Sequence, residues 1–216
     1  LIETPQNMDD GDALYEEAVR QYQAVGAHLA RPESRLATYA PLIYPQGSFR
    51  LGTMILPPLR GCEYDVDLVC VVNLTKAGTT QAGLKKLVGD ELRLAYADIM
   101  GECRRCWTLQ FKLKFHMDVL PSIPDSVLGG TAILLTDTDL LRWQHSDPKA
   151  YARWFESRMA VVLRQMKEAL ALKLRASVDQ IPDWRVRTPL QRVVQLLKRH
   201  RDLFFRDDLD QRPASI

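Results

Sequence analysis

The sequence predicts an α/β fold of the α+β kind, a mixed central sheet flanked by helices before and after it. Three observations carry this. Val66, Leu68, Val69, Val71 and Val72 form a near-continuous aliphatic run, as a strand buried on both faces requires. Residues 107–120 alternate apolar and polar, the period of a half-buried strand. Long stretches on either side of that pair repeat their apolar residues at helical spacing.

Taken in order, Met8 to about Ala40 reads as helix, with Asp9 or Asp10 as cap and Leu14, Ala18, Tyr22 and Val25 on one face. Arg31-Pro32-Glu33-Ser34 interrupts it, so a kink or a second short helix starts there. Tyr44-Pro45-Gln46-Gly47-Ser48 reads as a turn leading into the extended segment Phe49–Thr53. The aliphatic strand runs from Tyr64 to Asn73, and a helix follows over 83–100. In the second strand, 107–120, Lys112, Lys114, His116 and Asp118 share one face. Phe111, Leu113, Phe115 and Met117 share the other. Asp147-Pro148 opens a long helix to about Ser177, Pro182 breaks the chain, and Thr188-Pro189 starts the last helix. That helix is expected to put Leu190, Val193, Val194 and Leu197 on one inward side. The expected organisation is an N-terminal helical spine over 1–45, a core over 46–145 and a helical region over 146–216 that reads as the start of an incomplete C-terminal domain.

Composition bounds the function loosely. With 216 residues, 46% hydrophobic and 26% charged, the chain has ordinary globular proportions. A net charge of +2 does not advertise a long nucleic-acid partner. No segment has the length of a membrane span, and the N-terminus lacks a signal pattern, so a cytoplasmic location is expected. Four cysteines fit a reduced compartment. Cys103-Arg104-Arg105-Cys106 has zinc-like spacing but lacks a second pair, and His116 is the only nearby further ligand. The chain opens at Leu1 and stops at Ile216 after an apparent loop, which reads as part of a longer protein.

The chemistry-bearing residues lie at the start of the aliphatic strand. Asp65 and Asp67 are two apart and project the same way. Adjacent carboxylates repel, and a divalent cation is the simplest partner for such a pair. Alone, this D-x-D is equally the solvated start of a strand. Gly47-Ser48 upstream lets backbone N–H groups approach a phosphate and adds a hydroxyl, although a Gly-Ser by itself is usually a plain turn. Asp118, with apolar neighbours on both sides, can bring a third oxygen ligand from the later strand. His116 shares its face, with a structural hydrogen bond as the expected role.

Gly47-Ser48, Asp65-x-Asp67 and a third acid on a later strand resemble the DNA polymerase β-like nucleotidyltransferases. The phrases Gln46-Gly47-Ser48-Phe49-Arg50-Leu51-Gly52-Thr53, Glu63-Tyr64-Asp65-Val66-Asp67-Leu68-Val69, His116-Met117-Asp118-Val119-Leu120-Pro121 and Arg187-Thr188-Pro189-Leu190-Gln191 are similar to those of the bacterial cyclic-oligonucleotide synthases, relatives of cyclic GMP–AMP synthase that act in anti-phage defence. The likeness runs from about Tyr44 to the C-terminus; the gap between Ser48 and Asp65 is somewhat longer than in many of these proteins. It implies a nucleotidyltransferase that condenses nucleoside triphosphates, ATP among them, into a cyclic di- or trinucleotide and releases pyrophosphate. It further implies two Mg²⁺ ions, with Mn²⁺ as substitute, on Asp65, Asp67 and Asp118 as catalytic and metal-binding residues. Gln46, Gly47 and Ser48 would hold nucleotide, as would Lys198 and Ser215, which match a lysine and a serine that contact the donor triphosphate. Lys198 also falls near the apolar stripe of its helix, where a cation needs an anion or snorkels to water. A regulatory protein partner fits the family, whose members range from constitutive to partner-activated. Two other readings stay open: a linear transferase acting on an RNA end or a protein, and an inactive nucleotide-binding scaffold.

Overall fold

The computed structural model describes residues 12–56, 64–111, 115–175, 177–180, 186–208, 211 and 213. The expected mixed sheet and flanking helices are present. Helix α1 (Asp12–Ala30) leads through a single 3-10 turn (Ala37–Tyr39) to strand β1 (Leu42–Pro45) and the short helix α2 (Gly47–Leu51). Strand β2 (Tyr64–Val71), helix α3 (Gln81–Tyr96) and strands β3 (Met100–Glu102), β4 (Trp107–Phe111) and β5 (Phe115–Pro124) follow. Strands β6 (Ile133–Leu135) and β7 (Gln144–Ser146) and helices α4 (Pro148–Leu174) and α5 (Pro189–Phe204) complete it. The part of the first expected helix before residue 12, the Pro182 break, Lys112, Lys114 and Ser215 lie outside the described residues.

The sheet runs β1-β2-β5-β4-β3, with β6 pairing β5 beyond the end of β4 and β7 pairing β6. Strands β2 and β5 are parallel, and the other pairings are antiparallel. Alternation along β2 and β5 sorts the side chains. Val66, Leu68, Cys70, Phe115, Met117, Val119 and Ile123 bury one face against Val25 and Leu29 of α1 and Leu84, Val88 and Leu92 of α3. Each such side chain contributes roughly 1.5–3 kcal/mol of burial. On the opposite face Val69, Val71, Leu120, Ile133 and Leu135 form a second, smaller apolar cluster.

Helix ends follow local chemistry. The side chains of Thr80, Asp147 and Thr188 accept hydrogen bonds from Gly83, Ala150 and Gln191 backbone N–H groups and so cap α3, α4 and α5. The interruption after α1 is held by Glu91 of α3, only 1% exposed: it accepts from the Arg31 guanidinium at 2.7 Å and from the Arg35 backbone N–H at 3.2 Å. Gly89 allows α3 to lie directly on the Trp107 indole, whose Nε1 donates to the Lys85 carbonyl at 2.9 Å; a Cβ at position 89 would collide with the ring.

Three expectations are corrected. Residues 107–120 are not one strand: β4 and β5 are separate and pair antiparallel, Phe111 opposite Phe115. The segment after Gly47 is not extended but helical over Gly47–Leu51, and residues 42–45 form an edge strand. Helix α5 does not turn its apolar stripe inward. Its buried residues are Gln191, Gln195, Arg199 and Asp202, whereas Val193 and Leu197 are about half exposed, at 52% and 49%.

Candidate active site

The strand registers assemble the acidic centre. Asp67 of β2 lies directly beside Asp118 of β5, and Asp65 beside His116. All four side chains therefore stand on the sheet face opposite α1 and α3. One oxygen of Asp65, one of Asp118 and a ring nitrogen of His116 lie within 4.8 Å of one another. His116 Nε2 is 3.5 Å from Asp65 Oδ1, which places the histidine beside the acids.

The phosphate-turn candidate closes over these acids. The Gln46 N–H donates to the Asp67 carbonyl at 2.9 Å, which lashes the end of β1 to the start of the acidic strand. Gly47 then takes φ +60°, the left-handed region that favours glycine, and its missing side chain leaves room for the Asp67 carboxylate; a Cβ there would overlap Asp67 Oδ2. Gly47 and Ser48 open α2, whose first-turn N–H groups lie outside the helix's own hydrogen-bond ladder.

Helix α5 completes the enclosure. Gln191 Nε2 donates to the Leu51 carbonyl at 2.9 Å, Lys198 Nζ to the Thr53 carbonyl at 3.3 Å, and Gln195 Nε2 to the Met54 carbonyl at 2.7 Å. This ladder places Lys198 where its ammonium interacts with Asp65 and Asp67. Sequence reasoning picked Lys198 but missed the glutamines that carry it, because their partners are main-chain carbonyls about 140 residues away. It also missed Thr108, which sits opposite Asp118 and donates to its Oδ1 at 2.5 Å. A hairpin register would have revealed it, since pairing 111 with 115 pairs 108 with 118.

The electrostatics are those of crowded like charges. The Asp67 carboxyl is pushed up to about 7, first by burial and then by the charges of Asp65 and Asp118, with Lys198 opposing. The Asp65 carboxyl is raised by burial and by Asp118. It is 54% open to water, as befits a carboxylate on the rim of a cleft walled by protein. Burial also lowers the Lys198 ammonium, and neighbouring Arg201 adds to this. Clustered carboxylate oxygens whose ionised forms are disfavoured by one another, with a ring nitrogen of His116 beside them, are a donor set that can hold a divalent metal ion.

A mixed sheet with D-x-D on one strand, a third acid in register on its parallel neighbour and a Gly-Ser turn above them has the architecture of the polymerase β-like nucleotidyltransferases. Residues 13–158 match the SMODS family, the Second Messenger Oligonucleotide or Dinucleotide Synthetase domain. The chain belongs to this family, the CD-NTase group of bacterial cyclic-oligonucleotide synthases. It is 30% identical over 176 residues to a c-di-GMP synthase of Roseivirga ehrenbergii, covering 81% of this chain and 46% of that one. It is 27% identical over 241 residues to the cyclic dinucleotide synthase CdnG of Bradyrhizobium diazoefficiens, covering 100% and 55%. The solved structure of that CdnG in complex with GTP has the same fold, with TM-score 0.76 at 22% identity, over 97% of this chain and 63% of that one. The chain thus spans about half the length of the curated relatives it matches.

Proposed function

We propose that this chain carries the catalytic centre of a Mg²⁺-dependent nucleotidyltransferase that joins nucleoside triphosphates into a cyclic dinucleotide and releases pyrophosphate. The observation that carries the reading is the register of Asp67 beside Asp118, with Gly47 packed on Asp67 and Lys198 facing the same acids. The names of the relatives favour a dinucleotide over a trinucleotide and make GTP the first substrate to try, with ATP next. Service in anti-phage defence is the setting that the family resemblance suggests.

In this reading Asp65, Asp67 and Asp118 would hold the divalent ions, whose chemistry when bound would be to neutralise the triphosphate and to lower the pKa of the attacking ribose hydroxyl. The first turn of α2 and the Ser48 hydroxyl bind phosphate oxygens of the donor, and the Lys198 ammonium balances its negative charge from α5. A ribose hydroxyl gives its proton to water and its oxygen bonds to the α-phosphorus as the bond from that phosphorus to the α–β bridging oxygen breaks, and pyrophosphate leaves with the electron pair. A second transfer within the linear product closes the ring. Nothing in this sequence needs a covalent protein nucleophile; positioning and charge suffice.

The test is incubation with all four nucleoside triphosphates and Mg²⁺, with and without added RNA, then phosphatase treatment and mass spectrometry. Phosphatase-resistant cyclic species are expected. Untouched triphosphates, or extension only of added RNA, would overturn the proposal.

A further inference from the structure

Asp118 is held from behind by a chain of polar contacts that the acidic centre itself does not require. Thr108, 8% exposed, stands opposite it on β4, and its hydroxyl lies 2.5 Å from Asp118 Oδ1. A carboxylate only accepts, so the hydroxyl proton points at Asp118 and the threonine lone pairs face away. Those lone pairs meet Cys103 Sγ at 3.0 Å and Cys106 Sγ at 3.9 Å, and the Cys106 thiol also hydrogen-bonds Asp118 itself.

The turn that bears the cysteines is itself anchored. The Cys103 N–H donates to the Cys106 carbonyl at 3.1 Å, and the buried Lys85 ammonium donates to the Cys103 carbonyl. Arg104 and Arg105 donate to the two oxygens of the buried Asp137 carboxylate, at 2.9 and 2.8 Å. Strand pairing already joins β4 to β5 through the backbone, so the Thr108 hydroxyl is not needed to hold the sheet together.

We propose that Thr108 is a positioning residue for Asp118: alongside the Cys106 thiol, its hydroxyl bonds Oδ1 and fixes the plane in which the carboxylate would meet a divalent cation. This rests on the metal-centre reading above. Hydrogen bonds that orient a metal-binding side chain usually matter 10–100-fold in metal affinity. A freed Oδ1 also lets Asp118 bind through both oxygens, which penalises Mg²⁺, with its strict octahedral demand, more than Mn²⁺.

The experiment is isothermal titration of Mg²⁺ and Mn²⁺ into the wild type, Thr108→Val, Thr108→Ser and Asp118→Asn. Melting temperatures in EDTA are taken in parallel. Thr108→Val is expected to weaken Mg²⁺ binding about 10–100-fold, and Mn²⁺ binding less, with its EDTA melting temperature near that of the wild type. Thr108→Ser, which keeps the hydroxyl, is expected within about threefold of the wild type. Should the valine variant fail to fold, Thr108→Ala serves the same comparison. Wild-type Mg²⁺ affinity in a folded Thr108→Val or Thr108→Ala, alongside loss in Asp118→Asn, would overturn the positioning role alone. Absence of divalent binding in the wild type would overturn the metal centre itself.

Discussion

The acidic face of β2 and β5 and the inward face of α5 both bring polar side chains into the protein, with opposite energetic results. On α5, Gln195 is fully buried and Gln191 nearly so, and each amide finds a fixed main-chain carbonyl of the 51–54 segment. Such satisfied groups cost little and specify how the helix docks. Asp65, Asp67 and Asp118 crowd one another, and two of them have carboxyls raised first by burial and then by their neighbours' charges. The satisfied polar contact holds the fold. The frustrated one stores an affinity for cations, at the expense of stability.

The sharpest way to break this comparison is to remove a repelled acid and measure both quantities. Asp67→Asn is expected to lower product formation by at least about a thousandfold while the protein stays folded, because charge neutralisation supplies most of the rate in phosphoryl transfer. Turnover of nucleoside triphosphates at the wild-type rate would sink the assignment of Asp67.

The same substitution should stabilise the metal-free protein. Asp67 titrates near 7 in the fold against an ordinary value near 3.8, so between those pH values the folded state keeps a proton that the unfolded chain releases. Stability of the metal-free wild type therefore falls as pH rises from about 4 to about 7, and the loss is complete above that. At pH 8 in EDTA, Asp67→Asn is expected to melt higher by about 5 °C, on the order of 2 kcal/mol. Added Mg²⁺ should raise the wild type but not the variant. Equal melting in EDTA would show that the acids do not strain the fold.

These acids were legible in the sequence because a strand's period of two is rigid. Asp65 and Asp67 at the head of the run Val66–Val71 had to share a face, and the apolar flanks of Asp118 marked it as more than a surface acid. The break after α1 and the starts of α4 at Asp147 and α5 at Thr188 follow from Pro, Thr and Asp chemistry that is equally local. The division of 107–120 into two strands was not legible, since an alternating pattern reads the same through a reversal as along one strand. Nor was α2, where a five-residue helix contains too few residues to show a period. The facing of α5 was hidden for a deeper reason. The partners of its polar stripe, the carbonyls of Leu51, Thr53 and Met54, are brought to α5 only by the tertiary fold.

The α5 side of the comparison yields a smaller effect. Gln195→Ala removes the donor to the Met54 carbonyl and leaves that acceptor buried, which costs about 1–3 kcal/mol. For a chain of this size the melting temperature should fall by about 3–8 °C. A kinetic mark should accompany it: with Lys198 only three residues further along α5, the Michaelis constant for nucleotide should rise more than kcat falls. Gln195→Met, which keeps the length but has no donor for the Met54 carbonyl, should also melt below the wild type. An unchanged melting temperature in both variants would show that the glutamine ladder does not hold the helix.

The smallest effect belongs to the outward face of the same helix. Leu197 is 49% exposed and Phe204 71%, so neither loses much burial when replaced. Leu197→Ser should cost this chain about 1 kcal/mol, because about half of the side chain is already in water. The contrast with Gln195 reverses the usual rule that truncating leucine in an amphipathic helix is worse than truncating glutamine. If Leu197→Ser destabilised the 216-residue chain as much as Gln195→Ala, the helix would be docked by its apolar stripe after all, and Lys198 would be carried away from the acids it is drawn to.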